Sequence, residues 1–463
     1  MKKIIALITE NNNFTYEDLK NFSEEISSVV NKRCLVFLFC TNSFESIAGY
    51  VGFVNKKIVP MMIDHDLDFE LTKKLLKIYR PKFLWLPKSM YKNYSSCENV
   101  FEFNNYVLLA TNETQHFDLN DNLALLMTTS GSTGSPKFVR QSYENILSNT
   151  QSIVEYLYIN KNERAITSLP MNYVYGLSII NTHLYCGASI VVTDKTLFQK
   201  EFWSLMKDEE VTNLNGVPYT FTMLEKLRFF RMKLPKLKFI TQAGGKLDPE
   251  LHFKFAEYAE KNDKKFFVMY GAAEATARMG YLPPKDSLRK CGSMGIAIPN
   301  GRFELIDSEG KVINDAGVIG ELIYYGKNVT LGYAERGEDL ILGDENNSRL
   351  ETGDLAKRDD EGYYTIVGRK KRFLKMFGKR TNLQEVEHLL YEHFKIVDIA
   401  CSGIDDKMYI FLTAEKFADE IVPYLSNKLN LHSSAFCVKV IEDIPKNSSG
   451  KIIYKELEKF YDL

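Results

Sequence analysis

Short, continuously apolar runs alternate with amphipathic segments along the first part of the chain, and this alternation restricts the fold more than any other feature. The runs are rich in β-branched and aromatic residues and predict strands at residues 34–40, 57–63, 83–86, 123–129, 165–169, 189–193, 211–215, 237–241 and 265–270. Helical periodicity predicts helices over residues 16–30, 142–158 and 249–260. This alternation favours an α/β body of two packed, parallel-type sheets with helices on their faces.

The pattern changes after Gly292, and the change divides the chain. Strands at 303–306, 320–325 and 363–367 are joined by turns rich in glycine, aspartate and asparagine. A basic link at 368–372 precedes an apolar helical face over 383–394, strands at 396–401, 408–413 and 436–441, and a last helix near 451–460. We therefore expect a large domain over 1–368, with a β-rich subdomain at about 292–368, and a small α+β domain over 369–463.

Composition excludes several classes of protein. The 463 residues include 59 Lys and Arg against 60 Asp and Glu, so no net basic field favours nucleic acid. The seven cysteines contain no CxxC pair, which indicates reduced thiols. The apolar run at 4–8 is too short for a signal peptide, and no stretch reaches the ~18 apolar residues of a membrane span. We expect a soluble, cytoplasmic protein with no membrane span and no nucleic-acid partner.

The strongest local signal for chemistry is the segment LLMTTSGSTGSPK at residues 125–137. An apolar strand runs here into a loop that offers backbone N–H groups, hydroxyls and one cation, which together suit a polyphosphate. The loop is not a Walker A loop, because the Gly-x4-Gly-Lys-Ser/Thr spacing does not occur. Its polar residues and glycines are Thr128, Thr129, Ser130, Gly131, Ser132, Thr133, Gly134 and Lys137.

This loop resembles the phosphate-binding loop of the adenylate-forming superfamily, which comprises acyl-CoA synthetases, acyl-AMP ligases, peptide-synthetase adenylation domains and luciferases. Further segments resemble the other motifs of the family in the same order: QAGGKL at 242–247, YGAAE at 270–274, a segment at 320–333, TGD at 352–354, a hinge segment at 368–380 and SSGK at 448–451. The resemblance covers about residues 15–455, and several motifs in order make a chance match improbable.

The resemblance implies a role for each residue at a matching position. Glu274 is the implied ligand of Mg²⁺, and Lys451, Glu274 and Thr129 are the implied catalytic residues. Attack of a carboxylate on the α-phosphorus of ATP joins two anions, so a metal ion and a lysine that screen charge suit it. The residues implied in nucleotide binding, with Tyr270 on the adenine and Asp354 on the ribose, are Thr128, Ser130, Gly131, Ser132, Thr133, Gly134, Lys137, Gly244, Gly245, Tyr270, Gly271, Ala272, Asp354 and Arg369.

The resemblance also implies motion. The family closes its small C-terminal domain in one orientation for adenylation and rotates it for transfer to a thiol. By this resemblance, Lys371 matches the hinge and Gly378 the thiol tunnel, and a short exposed link is a reasonable hinge. Two interpretations of the nearby basic residues stay open: a solvated charged run, or a surface that binds CoA phosphates or an acidic carrier helix. These residues are Lys370, Lys371, Arg372, Lys375, Lys379 and Arg380.

The expected acid pocket mixes aromatic, small and amide side chains, from Tyr173, Val174, Tyr175, Gly176, Asn215, Ala243 and Thr276. Amino-acid-activating members place an aspartate where Val174 stands, and a buried ammonium without a carboxylate would be costly. A short or medium carboxylic acid without an α-amino group is therefore favoured. Ala273 stands where many members have a threonine that contacts the α-phosphate, so this contact is missing or comes from Thr276 or Thr128.

The favoured hypothesis is an AMP-forming acid–thiol ligase. It would use ATP and Mg²⁺ to convert a carboxylic acid to an acyl-adenylate with release of pyrophosphate, and would then pass the acyl group to the pantetheine thiol of CoA or of an acyl carrier protein. Loading of an amino acid onto a carrier, acyl-AMP formation without transfer to CoA, and a catalytically silent member that only binds a ligand are the alternatives.

Overall fold

The structure is a computed structural model that describes residues 4–112, 117–128, 137–370, 372–377, 379–396, 398–446 and 452–461. The chain divides into two compact units. The first comprises Met1–Arg302 and Tyr324–Leu350, and the second comprises Phe303–Ile323 and Glu351–Leu463. The second unit therefore includes part of the β-rich segment, while the division into domains at 368 and 369 stays a prediction.

The described residues form strands and helices throughout the chain. In chain order, the strands are β1 (Ile5–Ile8), β2 (Asn13–Thr15), β3 (Leu35–Cys40), β4 (Val59–Asp64), β5 (Phe83–Pro87), β6 (Glu98–Phe103), β7 (Tyr106–Ala110), β8 (Leu123–Thr128), β9 (Phe138–Ser142), β10 (Arg164–Ile166), β11 (Ser189–Val191), β12 (Asn213–Gly216), β13 (Phe239–Gln242), β14 (Lys265–Tyr270), β15 (Gly280–Leu282), β16 (Ile296–Ala297), β17 (Arg302–Ile306), β18 (Ile319–Tyr325), β19 (Tyr333–Ala334), β20 (Arg349–Arg358), β21 (Tyr364–Arg369), β22 (Phe373–Met376), β23 (Lys379–Asn382), β24 (Ile399–Ile404), β25 (Lys407–Leu412) and β26 (Phe436–Val440). The helices are α1 (Tyr16–Val29), α2 (Phe44–Asn55), α3 (Phe69–Tyr79), α4 (Tyr143–Leu157), α5 (Val174–Tyr185), α6 (Lys200–Asp208), α7 (Pro218–Lys226), α8 (Pro249–Lys261), α9 (Leu383–Phe394), α10 (Ala418–Leu429) and α11 (Tyr454–Leu457).

The first unit is built on two large sheets. The eight-stranded sheet has the order β19-β9-β8-β4-β3-β5-β7-β6, with parallel pairing from β8 to β5 and antiparallel pairing at both edges. All six residues of β3, Leu35–Cys40, are buried, as a continuous apolar strand covered on both faces requires. The five-stranded sheet has the order β12-β13-β14-β15-β16, and its first three strands are parallel. The expected α/β class is confirmed.

Helix boundaries in this unit follow from capping side chains. The Thr15 hydroxyl accepts from the N–H of Asp18 at the start of α1, and the Asp18 carboxylate accepts from the N–H of Thr15 at 2.7 Å. Ser142 and Asn145 form the same reciprocal box at the start of α4. Such caps satisfy N–H groups that have no partner inside the helix. The predicted helices over 16–30, 142–158 and 249–260 are confirmed to within a residue at each end.

The second unit is smaller and mixed. It contains most of the sheet β17-β18-β20-β21, the hairpin β22-β23, and the sheet β24-β25-β26. Its core is formed by apolar side chains of β22, α9, β24, β25 and α10, including Met376, Leu390, Ile410 and Leu425. The predicted last helix near 451–460 is shorter, because only Tyr454–Leu457 is α-helical and Glu458–Phe460 is a 3₁₀ turn. Throughout the described ranges, every helix is too short or too polar to cross a bilayer.

Candidate active site

Strands β8 and β9 frame the predicted phosphate-binding loop. Thr128 ends β8 and pairs with Phe138, the first residue of β9, so both ends of the loop are held by one antiparallel ladder. Thr128 is half-buried at the end of its strand. The loop residues Thr129, Ser130, Gly131, Ser132, Thr133 and Gly134 lie outside the described residues, and their roles stay predictions.

Lys137, Tyr333 and Glu274 form a connected polar group at the end of this ladder. The Lys137 ammonium lies 3.7 Å from the centroid of the Tyr333 ring and 3.8 Å from the Glu335 carboxylate. The Tyr333 hydroxyl donates to Glu274 Oε1 at 2.7 Å. Residues 128, 137 and 333 come together because β19 pairs with β9, with Tyr333 opposite Val139. The cation and the carboxylate implied for phosphates and metal therefore share one aromatic neighbour.

Tyr333 stays protonated at neutral pH. Burial, and then the neighbouring Glu274 carboxylate, raise the pKa of its hydroxyl. A neutral hydroxyl donates a charge-assisted hydrogen bond to the carboxylate and fixes which oxygen of Glu274 faces the protein. Glu274 forms no ion pair with a lysine or arginine among the residues that the structure describes, so its negative charge is not neutralised by them.

The Glu274 turn is clamped by residues that precede β19. Ala273–Ala275 is a 3₁₀ turn that begins shortly after β14, and the Glu274 carbonyl accepts from the N–H of Thr330 at 2.9 Å. Thr276 has a φ of 64°, in the left-handed region that β-branched residues rarely adopt. Its hydroxyl donates to the Asn328 carbonyl at 2.7 Å. The Thr276 hydroxyl proton is thus engaged by the backbone, and the source of the contact that Ala273 lacks stays a prediction.

Gly244 and Tyr173 meet at the mouth of the expected acid pocket. Gly244 has a φ of 88°, and a Cβ placed on it would lie 2.6 Å from the Tyr173 hydroxyl. Glycine is therefore needed twice, for the backbone conformation and for the approach of the phenol. The side chain of Gln242 holds the turn by donating to the carbonyl of Gly245 at 2.8 Å.

Tyr175 and Asn215 belong to a buried hydrogen-bond network behind this mouth. The Tyr175 hydroxyl lies 2.6 Å from the hydroxyl of Thr241, which donates to Asn215 Oδ1 at 2.6 Å. The Asn215 amide donates in turn to Asn213 Oδ1 at 2.9 Å. Both ends of the Asn215 side chain are used, so it supports the pocket through Tyr175. Burial raises the pKa of Tyr175 to about 12.

Other predicted pocket residues lie beside the same helix. Val174 and Thr276 line one small cavity between α4, α5 and the Glu274 turn. A Cβ on Gly176 would lie 2.1 Å from the Pro170 carbonyl oxygen, so only glycine allows α5 to start this close to the preceding segment. Ala243 is buried directly after β13. The structure thus gathers Tyr173–Gly176, Ala243 and Thr276 at the carboxyl ends of β13 and β14, where open α/β sheets bind ligands.

The motif at the end of β14 shows why glycine follows Tyr270. A Cβ on Gly271 would lie 1.8 Å from the Ala277 carbonyl oxygen, so the returning chain packs directly on the glycine backbone. Tyr270 and Ala272 are half-buried on either side of it. These positions suit the expected contacts with a nucleotide base, which stay predictions.

Asp354 and Arg369 are brought together within the second unit. They are opposite residues of β20 and β21, and Arg369 Nε lies 2.9 Å from Asp354 Oδ1. Asp354 is buried while Arg369 is exposed. The hydroxyl of Thr352 accepts from the N–H of Asp354 at 3.1 Å and donates to the Leu322 carbonyl at 2.7 Å. The TGD segment is therefore ordered by its own threonine.

Three predicted functional residues, Lys371, Gly378 and Lys451, lie outside the described residues. Two members of the basic group around the expected hinge are described and have internal partners. Arg372 forms a two-pronged ion pair with Glu387, at 2.9 and 3.2 Å. Lys370 lies 2.6 Å from Glu321. Arg372 is largely buried, so it fits neither hypothesis for this group, an exposed charged run or a docking surface.

The structure also identifies residues that the motifs did not single out. The motifs include Tyr333 without implying a role for it, and they do not include Arg278. Arg278 follows Glu274 by four positions, and its guanidinium stacks on Tyr175, 3.9 Å from the ring centroid. An arginine inside an otherwise apolar and small-residue segment, ATARMG, was the available signal.

The comparisons with known proteins agree with this site. A family model described as AMP-binding enzyme matches residues 2–334. The chain is 27% identical to the 4-coumarate–CoA ligase-like 4 of Oryza sativa subsp. japonica over 354 residues, which are 73% of the chain and 63% of the relative. It is 27% identical to the luciferin 4-monooxygenase of Photuris pensylvanica, over 75% of the chain and 65% of the relative. The match thus spans less than two thirds of these relatives. The chain belongs to the AMP-binding enzyme family.

Solved structures share the fold. The o-succinylbenzoate–coenzyme A synthetase of Bacillus subtilis, in complex with ATP and magnesium ion, aligns with a TM-score of 0.79 over 98% of the chain and 97% of its own, at 22% identity. ATP-bound MatB from Rhodopseudomonas palustris aligns with a TM-score of 0.79 over 99% and 96%, at 20% identity. At this identity the likeness establishes the architecture, a large N-terminal α/β part followed by a small C-terminal one.

Proposed function

We propose that the protein is an AMP-forming acid–thiol ligase. It converts a small carboxylic acid and ATP to an acyl-adenylate and pyrophosphate, and then transfers the acyl group to a pantetheine thiol. The observation that carries the proposal is the group of Lys137, Tyr333 and Glu274, together with the close approach of Tyr173 to Gly244, near the ends of parallel strands in a member of the AMP-binding enzyme family.

The residues around Glu274 suit a hard divalent cation. Carboxylate oxygens are the ligands that Mg²⁺ prefers, and one oxygen of Glu274 is already oriented by Tyr333. Glu274 would hold the ion, which when bound screens the charge of the phosphates. Lys137 offers a second positive charge to the same phosphates, since it approaches Tyr333 from the end of the phosphate-loop ladder.

The acid would bind with its carboxylate at the strand ends and its remainder towards α5. The half-buried Tyr173 hydroxyl, placed against Gly244, can donate to that carboxylate before reaction. Burial raises the pKa of Tyr173, so its hydroxyl keeps its proton. Lys451 and Thr129 are proposed to stabilise the charge that builds at the α-phosphate, and Asp354 with Arg369 to bind the ribose.

The acceptor is proposed to be CoA or the phosphopantetheine of an acyl carrier protein. The 2-succinylbenzoate–CoA ligase of Oceanobacillus iheyensis, 27% identical over 73% of the chain and 70% of the relative, carries CoA as the acceptor in its name. Buried Cys34, Cys40 and Cys401 suit a reducing compartment, and we propose the cytoplasm.

Acid-dependent exchange of pyrophosphate into ATP tests the first half of the reaction. A panel of carboxylic and amino acids is assayed with the wild type and with Glu274→Gln, which keeps the size of the side chain and removes its charge. We expect exchange with at least one carboxylic acid, reduced about 100-fold or more in Glu274→Gln. The matched control is Glu260→Gln, an exposed residue of α8, which should exchange like the wild type.

The outcomes separate the alternatives. Exchange with amino acids alone would replace this proposal by carrier loading of an amino acid. No exchange with any acid would contradict an adenylating activity. Exchange followed by no thioester with CoA or a phosphopantetheinylated carrier would indicate acyl-AMP formation without transfer.

A further inference from the structure

Arg278 is a buried cation in the loop that follows Glu274. Its fractional exposure to solvent is 3%. Asn149 holds its backbone through both the N–H and the carbonyl. Asn149 Oδ1 accepts from the Arg278 N–H at 3.2 Å, and Asn149 Nδ2 donates to the Arg278 carbonyl at 2.8 Å. Asn328 Nδ2 donates to the same carbonyl at 2.9 Å. The backbone contacts, and not an ion pair, therefore hold Arg278 in place.

The guanidinium of Arg278 has few polar partners. Nη1 donates to the Ala277 carbonyl over a long 3.4 Å, and Nε makes no hydrogen bond. The buried hydroxyl of Tyr156, a neutral group, is the other polar partner of the guanidinium. Its carbon lies 3.9 Å from the centroid of the Tyr175 ring, whose face stabilises a cation only in part. Among the residues that the structure describes, no carboxylate pairs with it. A buried charge without a counter-ion is costly to keep.

Arg140 shows how this chain otherwise satisfies a buried arginine. It is the other arginine in the described ranges with almost no exposure, and it pairs with the Glu345 carboxylate. It also donates to the carbonyls of Tyr333 at 3.0 Å and Leu331 at 2.9 Å. Arg278 has neither the carboxylate nor the well-aligned carbonyls, and the Tyr156 hydroxyl beside it is neutral. Its charge is therefore unmatched among the described residues, and N–H donors of its fork are left for a ligand.

Arg278 lies beside two aromatic residues of the expected acid pocket. Its guanidinium covers the ring of Tyr175, whose hydroxyl is anchored to Thr241 near the end of β13, and its charge also acts on the Tyr173 hydroxyl. The Cα of Arg278 lies 3.1 Å from a Cβ built on Gly271, so the residue sits beside the glycine that follows β14. Glu274 accepts from Tyr333 and forms no ion pair with Arg278 among the described residues, so Arg278 is left to meet a different part of the acid from the metal-binding carboxylate.

We infer that Arg278 binds a second carboxylate at the far end of the acid, so that the substrate is a short dicarboxylic acid. This inference rests on the proposed function and names its substrate class. The guanidinium fork matches the two oxygens of a carboxylate, and the substrate supplies the counter-charge that the protein lacks. A neutral acid of the same length would leave the cation buried and unpaired, so it binds poorly.

The test compares each acid with a neutral analogue. Pyrophosphate exchange is measured with straight-chain dicarboxylic acids of three to six carbons and with their monomethyl esters. For the wild type we expect one diacid to exceed its ester in kcat/KM by about 10- to 100-fold. In Arg278→Met that diacid should lose this advantage through a higher KM, while the KM for ATP stays unchanged. Arg278→Lys keeps the charge without the fork and should retain part of the preference. Arg231→Met, at an exposed arginine, is the control.

Two results would overturn the inference alone. One is exchange with a monocarboxylic acid or an ester at least equal to that of every diacid in the wild type. The other is an unchanged ratio of diacid to ester in Arg278→Met. If Arg278→Met fails to fold, an unchanged ratio in Arg278→Lys decides in the same way. No exchange with any acid would overturn the proposed function first, and this inference with it.

Discussion

At the scale of single residues, the site depends on one hydroxyl that orients the metal-binding carboxylate. Tyr333 donates to Glu274 Oε1 at 2.7 Å, and no other described side chain donates to that carboxylate. Loss of a hydrogen bond to a charged group costs about 1.5–3 kcal/mol when buried and less where water can replace it. Tyr333 keeps 36% of its exposure, so the lower end of this range applies.

Tyr333→Phe should therefore weaken the response of adenylation to Mg²⁺. We expect a half-saturating Mg²⁺ concentration about tenfold higher than in the wild type, since the carboxylate loses its fixed orientation. The measurement is pyrophosphate exchange across a Mg²⁺ titration. Tyr158→Phe, which makes the same change at an exposed tyrosine, should show the Mg²⁺ dependence of the wild type. An unchanged Mg²⁺ dependence in Tyr333→Phe would show that the hydroxyl does not orient Glu274.

A second residue-scale prediction concerns Gly244. Gly244→Ala combines backbone strain at a φ of 88° with a contact of 2.6 Å to the Tyr173 hydroxyl. Gly187→Ala is the matched control, because its φ of 69° carries similar strain and a Cβ there meets nothing within 4 Å. Both variants should lose about 1 kcal/mol of stability. Only Gly244→Ala should raise the KM for the acid, and equal KM values in the two variants would separate Gly244 from the pocket.

At the scale of elements, a buried ion pair joins the residue before β22 to α9, β24 and α11 of the second unit. Arg372 binds both oxygens of Glu387, donates to the Tyr454 hydroxyl at 2.7 Å and donates to the Cys401 carbonyl at 2.6 Å. Its side chain keeps 13% of its exposure, so loss of one partner leaves a largely buried charge. The pair is therefore structural and connects the segment after the expected hinge to the core of its unit.

Arg372→Met should loosen these elements. We expect the free energy of local opening in α9 and β24 to fall by about 3 kcal/mol, because Glu387 is left unpaired. Hydrogen–deuterium exchange of peptides from 383–394 and 399–404 measures it. Lys375→Met, at an exposed residue of the strand that follows Arg372, should leave the exchange unchanged. Equal protection in Arg372→Met and the wild type would show that the pair adds nothing to the unit.

Helix α5 carries a pH-sensitive element behind the pocket. His183 Nδ1 donates to the Ile179 carbonyl at 2.8 Å, so Nε2 accepts from the Asn213 amide at 3.0 Å. Burial lowers the pKa of His183 to about 4, against about 6.5 for an exposed histidine. Between pH 6.5 and 4, the histidine therefore binds a proton in the unfolded chain but not in the folded chain. The stabilising effect of the neutral ring is complete above pH 6.5 and is lost as the pH falls towards 4.

His183→Gln should flatten this dependence. From pH 7.5 to 4, we expect the wild type to lose about 3 kcal/mol of unfolding free energy more than the variant. Urea unfolding at a series of pH values measures the difference. Burial lowers the pKa of His252 to about 4 as well. The loss of unfolding free energy that His252 causes at low pH should therefore remain in His183→Gln. Parallel pH curves for the variant and the wild type would contradict a neutral, buried His183.

At the scale of the whole molecule, sequence reasoning succeeded where structure is local. The strand Lys265–Tyr270 was predicted residue for residue, because a polar residue and a glycine bound one apolar run. Helix α2, Phe44–Asn55, escaped prediction since nine of its residues are buried and its sides do not differ in polarity. Strands β6 and β7 escaped as well, because they form an antiparallel edge that the helix–strand alternation does not signal.

The candidate site shows the same limit. Glu274 and Thr128 could be placed because Thr128 ends β8 and Glu274 follows the end of β14, each inside a motif. The link between Tyr333 and Glu274 joins residues 59 positions apart, and the burial of Arg278 depends on α4 and α5, so no local pattern could predict either contact. The motifs therefore locate the residues expected to bind the nucleotide. The contacts around the expected acid pocket depend on how distant segments pack, and only the structure gives them.

The order of events in the whole enzyme gives the last prediction. Adenylation joins two anions and needs positive charge at the α-phosphate, which Lys451 is proposed to supply, whereas thiol attack on an acyl-adenylate needs no such charge. Lys451→Ala should then lose pyrophosphate exchange by about 100-fold or more and still form thioester from supplied acyl-adenylate and CoA or carrier. Lys455→Ala, an exposed lysine near the same terminus, should retain both half-reactions. Equal loss of both half-reactions in Lys451→Ala would contradict a role confined to adenylation and, with it, the proposed alternation of the C-terminal domain.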